Sequence, residues 1–209
     1  IDELRALMLD ALTLRGIGSE DAAFIVDDFL DAELEGHKTH GVSKFLTIDI
    51  GLSGREGSIE IVSRIGGHAK IDGHRELGHI AARQAAALSV ELAKEQGVGL
   101  VALTNVSRYA RLVPYSRLIA ERGCIGIVTN NGGPAHVVPF GGSMPVFGTN
   151  PLSFGFPQGE KPPLIFDFAT AQGVWGELRQ AIVEERPLPE RTFLDAAGAF
   201  TTDPQRVQG

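Results

Sequence analysis

A single cysteine, Cys124, stands in 209 residues. One thiol excludes an intrachain disulfide and fits a reducing cytoplasm. Its neighbours Gly123, Ile125, Gly126 and Ile127 read as the start of a buried strand, so inert packing is expected of it rather than a nucleophilic role. Basic residues are outnumbered, 19 Lys and Arg against 26 Asp and Glu. That balance argues against nucleic acid or an anionic membrane surface as the main partner. No apolar run reaches the roughly 18 residues a spanning helix needs, and the N-terminus is acidic and amphipathic rather than signal-like. The common nucleotide fingerprints are missing too. Gly97-Val98-Gly99 is the nearest approach to G-x-G, but it lacks a third glycine and follows a helix instead of a strand. There is no G-x-x-x-x-G-K-[ST] loop.

What is present is an ordinary globular composition, 43% hydrophobic and 22% charged, enough for one large domain or two small ones. Residues 1–54 read as helical. Leu4, Leu7, Met8, Ala11 and Leu12 recur at helical spacing up to Gly16. Ser19 is placed to cap a second helix with the stripe Ala22, Phe24, Ile25, Phe29 and Leu30. Phe45, Ile48 and Leu52 predict a third, ended by Gly54. Short strands follow at Ile59–Val62 and Ala69–Gly73. Next comes a helix with Leu77, Ala81, Leu88 and Leu92 on one face and Gly97 at its C-terminus. Beyond it the chain alternates: strands at 99–104, 124–129, 152–156 and 164–168, and helices at 115–121 and about 173–184. Several links are Gly/Pro-rich turns rather than helices. The expected class is α/β (α+β), a mixed sheet with flanking helices and an N-terminal helical region. The expected division is an N-terminal substrate-side domain, 1–72, and a mixed-sheet cofactor domain, 73–209.

Two regions carry unusual chemistry. Gly36-His37-Lys38-Thr39-His40-Gly41-Val42-Ser43-Lys44-Phe45 packs two imidazoles and two ammonium groups where the second helix ends. That combination suits a proton donor beside a cation that holds a carboxylate. His37 and His40 also have the look of a zinc pair, but no third ligand stands at readable spacing, so no metal is expected. The second region is a set of turns after strands: Thr129-Asn130-Asn131-Gly132-Gly133-Pro134, Pro139-Phe140-Gly141-Gly142 and Gly148-Thr149-Asn150-Pro151. Each alone reads as a tight turn. Three of them, each with Asn or Thr beside Gly, point to a shared binding cleft.

Taken with Val138-Pro139-Phe140-Gly141-Gly142, Phe166-Asp167-Phe168-Ala169-Thr170 and Thr201-Thr202-Asp203-Pro204, these segments resemble the malate/L-lactate dehydrogenase family, whose fold is not Rossmann. Ureidoglycolate and sulfolactate dehydrogenases and cyclic-imine reductases belong to it. The resemblance implies a homodimer that binds NAD or NADP in extended form. It implies reversible hydride transfer to a small 2-oxo or cyclic imino acid. His40 matches the family's motif histidine, a proton donor in some members, and Lys44 stands where an arginine usually contacts the substrate carboxylate. Asn130, Asn131, Gly132 and Gly133, with Thr149, Asn150, Asp167, Phe168 and Ala169, match cofactor-contacting segments.

Two departures stand out. Where the family commonly has Asn-Ser-x-His, this chain has Asn105-Val106-Ser107-Arg108, so Arg108 takes the place of a catalytic histidine. Arginine stays protonated and relays no proton near neutrality, but it binds a carboxylate or polarises a carbonyl. Arg108 with His40 is therefore the expected catalytic pair, and Lys44, Asn105 and Arg111 the expected substrate contacts. The family also continues beyond the point matching Gly209. Two readings stay open: an active oxidoreductase, and an impaired relative that binds a small acid or nucleotide without turnover.

Overall fold

Helix α1 (Asp2–Thr13) and helix α2 (Ser19–Leu34) form because each carries an apolar residue on nearly every turn. Only part of the expected stripe is inward: Met8 and Leu12 are buried, whereas Leu4 and Leu7 face solvent. Residue Ser19 is the first residue of α2 rather than its cap; Gly18 holds the cap position and makes no side-chain bond. The computed structural model describes residues 1–131 and 133–207.

The expected third helix is broken into two pieces. A 3-10 turn (Lys38–His40) precedes α3 (Val42–Phe45) and α4 (Ile48–Leu52). The pieces are short because the chain must turn between them to bring both Phe45 and Ile48 into the core with Phe29, Leu77 and Ile80. Strand β1 (Glu60–Ile65) pairs antiparallel with β2 (His68–Asp72), with an irregularity between Ile61 and Ser63. Helix α5 (Gly78–Gln96) then crosses to β3 (Leu100–Thr104), which pairs parallel to β2 with His68 opposite Leu100 and Asp72 opposite Thr104. One sheet thus mixes both pairing senses, as expected from its links. Ala69 and Ile71 of β2 pack on Ala85, Leu88 and Leu92 of α5.

Helix α6 (Val113–Glu121) follows, with proline in its first turn. A further sheet has the order β4 (Gly126–Thr129), β5 (Leu152–Gln158), β6 (Lys161–Phe168). Residue Cys124 lies just before β4 and is half-buried, not fully enclosed. Helix α7 (Trp175–Val183) and a two-stranded ribbon of β7 (Phe193–Leu194) and β8 (Phe200–Thr201) complete the elements, with a small core of Leu178, Ala181 and Leu188.

The chain forms two compact units: Ile1–Gly126 with Gly155–Leu164, and Ile127–Phe154 with Ile165–Gly209. The division falls near residue 126 and not at 72/73. The reason is the register of β2 against β3, which makes the segment after residue 72 part of the same sheet and core as the segment before it.

Within the first unit, Gly78 sits where a Cβ would lie 2.5 Å from the Ser107 carbonyl oxygen and 2.5 Å from a ring carbon of Tyr109. Glycine is what lets the 107–109 segment close on the start of α5. Gly78→Ala is expected to destabilise the chain by about 1–3 kcal/mol through overpacking, read as a lower urea midpoint at unchanged slope. An unchanged midpoint would show that this loop adapts freely.

Candidate functional site

Four carboxylates crowd the last two turns of α2 and the residue after it: Asp28, Asp31, Glu33 and Glu35. No basic residue stands in the last turn of that helix, so the helix dipole disfavours them. Each is answered from elsewhere. Arg111 donates from Nε to Asp28 Oδ1 at 2.7 Å, from Nη2 to the Asp28 carbonyl at 3.2 Å, and from Nη1 to Glu35. Arg117 on α6 donates to Asp31 at 2.7 Å and Glu35 at 3.2 Å. Glu33 Oε2 accepts from the Val42 backbone N–H at 2.9 Å, and a Cβ at Gly41 would overlap that carboxylate. Glu33 reaches under the His40-Gly41-Val42 turn, and its carboxylate keeps that place because Gly41 has no side chain.

The cationic decapeptide separates on folding. His37 and Lys38 are exposed, whereas His40 and Lys44 are half-buried. The His40 Nδ1 lies 3.0 Å from Thr39 Oγ1. Burial, then the positive charges of Lys44 and Arg111, push the His40 imidazole down to about 4. The resting side chain is therefore a neutral imidazole at pH 7.

Beside this turn a hollow of about 20 Å³ is lined by Lys44, His79, Arg108 and Tyr109, with Phe29 and Leu77 among its apolar walls. His79, in the first turn of α5, is only 3% exposed and packs on Phe29 at 5.4 Å between ring centroids. Neither of its ring nitrogens has a hydrogen-bond partner, nor does Ser107 Oγ. Burial and the charge of Lys44 push His79 down to about 4 as well. Burial raises the Tyr109 phenol to about 12 and holds it protonated. A larger depression, about 320 Å³, runs along Arg15, Leu52 and Arg55. It holds none of the motif residues, and its arginines are paired with Asp49 and Glu76.

Of the residues expected to meet substrate, the structure brings Lys44 and Arg108 together at the hollow. His40 stands on the adjoining turn and senses Lys44, as His79 does. Residue Arg111 is different: its side chain is 6% exposed and committed to Asp28 and Glu35. Asn105, with φ 54°, donates to Asp72 at 2.9 Å and shapes the end of β3, away from the lining of the hollow. Neither His79, in the first turn of α5, nor Asp28, on α2, belongs to a sequence motif singled out above. A carboxylate among Ile25, Val26 and Phe29 is a signal in itself, because it demands a buried cation.

In the second unit the expected cofactor segments meet through hydrogen bonds. The Asn130 N–H and the Thr129 hydroxyl both donate to the Pro151 carbonyl at 3.3 Å. The Thr170 hydroxyl donates to the carbonyls of Thr149, at 3.1 Å, and Asn150, at 2.9 Å. Asn150 and Gly133 take left-handed φ values of 40° and 80°. Asn130, Thr149, Asp167 and Ala169 are half-buried, whereas Asn131 and Phe168 are exposed. Gly132 lies outside the described residues. Nearby in sequence, His136 packs edge-on to Trp175 at 5.9 Å, with both ring nitrogens buried and unpartnered. Uncharged amides, hydroxyls and an orphaned imidazole suit a ligand with amide and phosphate groups, so these residues fit a nicotinamide dinucleotide. No group of three or more His, Cys, Asp or Glu able to hold a metal occurs among the described residues.

Cationic side chains thus line a hollow in the first unit, and uncharged amides and hydroxyls meet at turns within the second. The chain belongs to the malate/L-lactate dehydrogenase family, whose model matches residues 1–209. It is 34% identical over 207 residues to the L-sulfolactate dehydrogenase of Methanocaldococcus jannaschii, covering 97% of this chain and 60% of that protein. It is 30% identical over 213 residues to Delta(1)-pyrroline-2-carboxylate reductase 2 of Burkholderia multivorans, covering 98% and 61%. Among solved structures, malate dehydrogenase from Entamoeba histolytica superposes with a TM-score of 0.88 at 28% identity, covering 98% of this chain and 58% of that one. The chain thus spans about three fifths of the length of these relatives.

The charge network makes two predictions. Arg111→Met leaves Asp28 buried without its cation and should cost about 3–5 kcal/mol at pH 7. Burial already raises Asp28 to about 6. The carboxyl can take up a proton below that value, so the loss should shrink by pH 5; an equal loss at both pH values would contradict the assignment. The two depressed imidazoles act in the opposite sense to Asp28. With folded values near 4 and an ordinary value of 6.5, the unfolded chain binds more protons in that window, so their stabilisation is lost as pH falls from 6.5 to 4. Each is worth up to roughly 3 kcal/mol, at about 1.4 kcal/mol per unit. Asp28, which is more protonated when folded, opposes them between about 4 and 6. Without the two imidazoles Asp28 is left unopposed, so urea midpoints of the His40→Gln/His79→Gln double variant should fall as pH rises from about 4 to 6, where those of the parent rise.

Proposed function

We propose that the protein is an NAD- or NADP-dependent oxidoreductase acting on a small 2-hydroxy or 2-oxo acid, malate- or lactate-like, or on a cyclic imino acid. The observation that carries this reading is a hollow lined by Lys44 and Arg108 beside an unpartnered His79, with His40 on the turn before Lys44 and within reach of its charge. Lys44 and Arg108 supply the charge for a carboxylate. Asn130, Asn131, Gly133, Thr149, Asn150, Asp167, Phe168 and Ala169 are proposed to hold the cofactor, together with Gly132. When bound, the nicotinamide supplies or accepts the hydride.

The protein's own part is orientation and proton handling. With Arg108 unable to relay a proton, that role falls on His40. A neutral imidazole accepts a proton, so His40 is set up as the base for alcohol oxidation. For reduction it must first be protonated, and a bound carboxylate that offsets Lys44 makes this easier. A homodimer, implied by the resemblance and supported by the exposed apolar Ile61 and Ile65 on β1, is part of the same proposal. So is a cytoplasmic location; no helix among the described residues is long and apolar enough to cross a membrane.

A second reading, a relative that binds without turnover, is favoured by Arg108 itself. Oxidation of NADH or NADPH by the full-length protein with a panel of 2-oxo acids and cyclic imines separates the two. Turnover supports the enzyme; cofactor binding with no turnover on any of them sinks it. His40→Ala should lower kcat by about 10²–10⁴-fold with cofactor affinity nearly unchanged. Because the free imidazole sits near 4, kcat/KM for reduction should rise as pH falls toward that value, and kcat/KM for oxidation should be level above about 5. A reductive profile that is flat from pH 5 to 8 would remove His40 from the proton role.

A further inference from the structure

His79 lines the hollow with its hydrogen-bonding capacity unused. It is 3% exposed, in the first turn of α5, with both ring nitrogens unpartnered. A buried imidazole in that state forfeits the hydrogen bonds it would make in water, and native interiors seldom leave such a group without a reason. Around it, Ser107 Oγ is buried and also unpartnered, and Lys44, Arg108 and the protonated Tyr109 line the same hollow. The start of α5 carries no side-chain cap at Leu77, so the positive end of a 19-residue helix adds to the same field. The volume of about 20 Å³ has room for one water-sized group. It takes the oxygen-bearing end of a ligand and not a whole molecule.

We propose that His79 is a substrate-contacting residue: one of its ring nitrogens hydrogen-bonds an oxygen of the bound small acid at the bottom of the hollow, beside the charges of Lys44 and Arg108. This rests on the oxidoreductase reading and adds a residue that neither the motifs nor the resemblance marks. An imidazole kept in its neutral form there, by burial and by Lys44, discriminates by hydrogen bonding while the two cations carry the charge recognition. The Gly78 close approach gives the site its floor, since it holds Ser107 to Tyr109 against the first turn of α5.

The test is made on the full-length protein with whichever of oxaloacetate, pyruvate and 3-sulfopyruvate it reduces. His79→Leu should raise KM for that acid about tenfold or more, the worth of one hydrogen bond to a charged ligand. The Kd for NADH or NADPH should stay within about twofold, and Tm should hold or rise because two orphaned nitrogens leave the interior. His79→Gln, which keeps a donor and an acceptor, should recover part of the loss. KM and kcat within about twofold of the parent in both variants would overturn the proposal. If His79→Leu does not fold, ¹⁵N NMR of the parent decides: the His79 ring resonances should shift on saturation with malate, and resonances that stay fixed would overturn it. Absence of turnover by the parent on every acid would sink the oxidoreductase reading, whereas parental turnover indifferent to residue 79 would sink only this inference.

Discussion

The buried pair between Asp28 and Arg111 is the interaction on which the rest of the first unit depends. It joins residues 83 positions apart, and ties α2 to the segment that carries Arg108 and Tyr109. Arg111 extends the tie to Glu35, and Arg117 adds Asp31, so the acidic end of α2 is clamped to α6 and the loop before it. Such a pair is weak evidence of stability, because desolvation offsets much of the attraction. Here burial wins over Arg111 and lifts Asp28 to about 6. Its value is in geometry: an ion pair of this kind admits one register of loop against helix, and that register sets the hollow. The Arg111 charge also acts on His40, one of the causes, after burial and Lys44, that keep the imidazole neutral.

Much of the fold was legible. Helical spacing located α1, α2 and α5, and the apolar runs located β3 to β6 within a few residues. The failures have local causes. Leu4 and Leu7 satisfy helical spacing yet face solvent, since periodicity does not say which of two adjacent stripes is covered. The helix expected around Phe45, Ile48 and Leu52 is two short ones, because Gly41 and the Glu33 bond to Val42 force a turn that no propensity reveals. The division at residue 72 rested on a change in texture, whereas β2 and β3, which lie on either side of it, are adjacent strands.

The site was legible in its motifs and illegible in its pairings. His40, Lys44 and Arg108 are unusual enough in sequence to attract attention, and two of them, Lys44 and Arg108, line one hollow. Arg111 carries the same charge but is consumed by a partner 83 residues earlier, and only the fold shows that. His79 is the converse. Alone at a helix start it reads as incidental, and its importance comes from what the fold withholds from it. Two unpartnered ring nitrogens in the interior cost stability, and that cost is what the proposed contact would answer.

The most direct test of this account is a crystal structure of the full-length protein with nicotinamide cofactor and a bound 2-oxo or 2-hydroxy acid. The account predicts the acid's carboxylate against Lys44 and Arg108, an acid oxygen within about 3 Å of a His79 ring nitrogen, and the Arg111–Asp28 pair intact. An acid bound elsewhere in the first unit, with the hollow closed or filled by water alone, would contradict it.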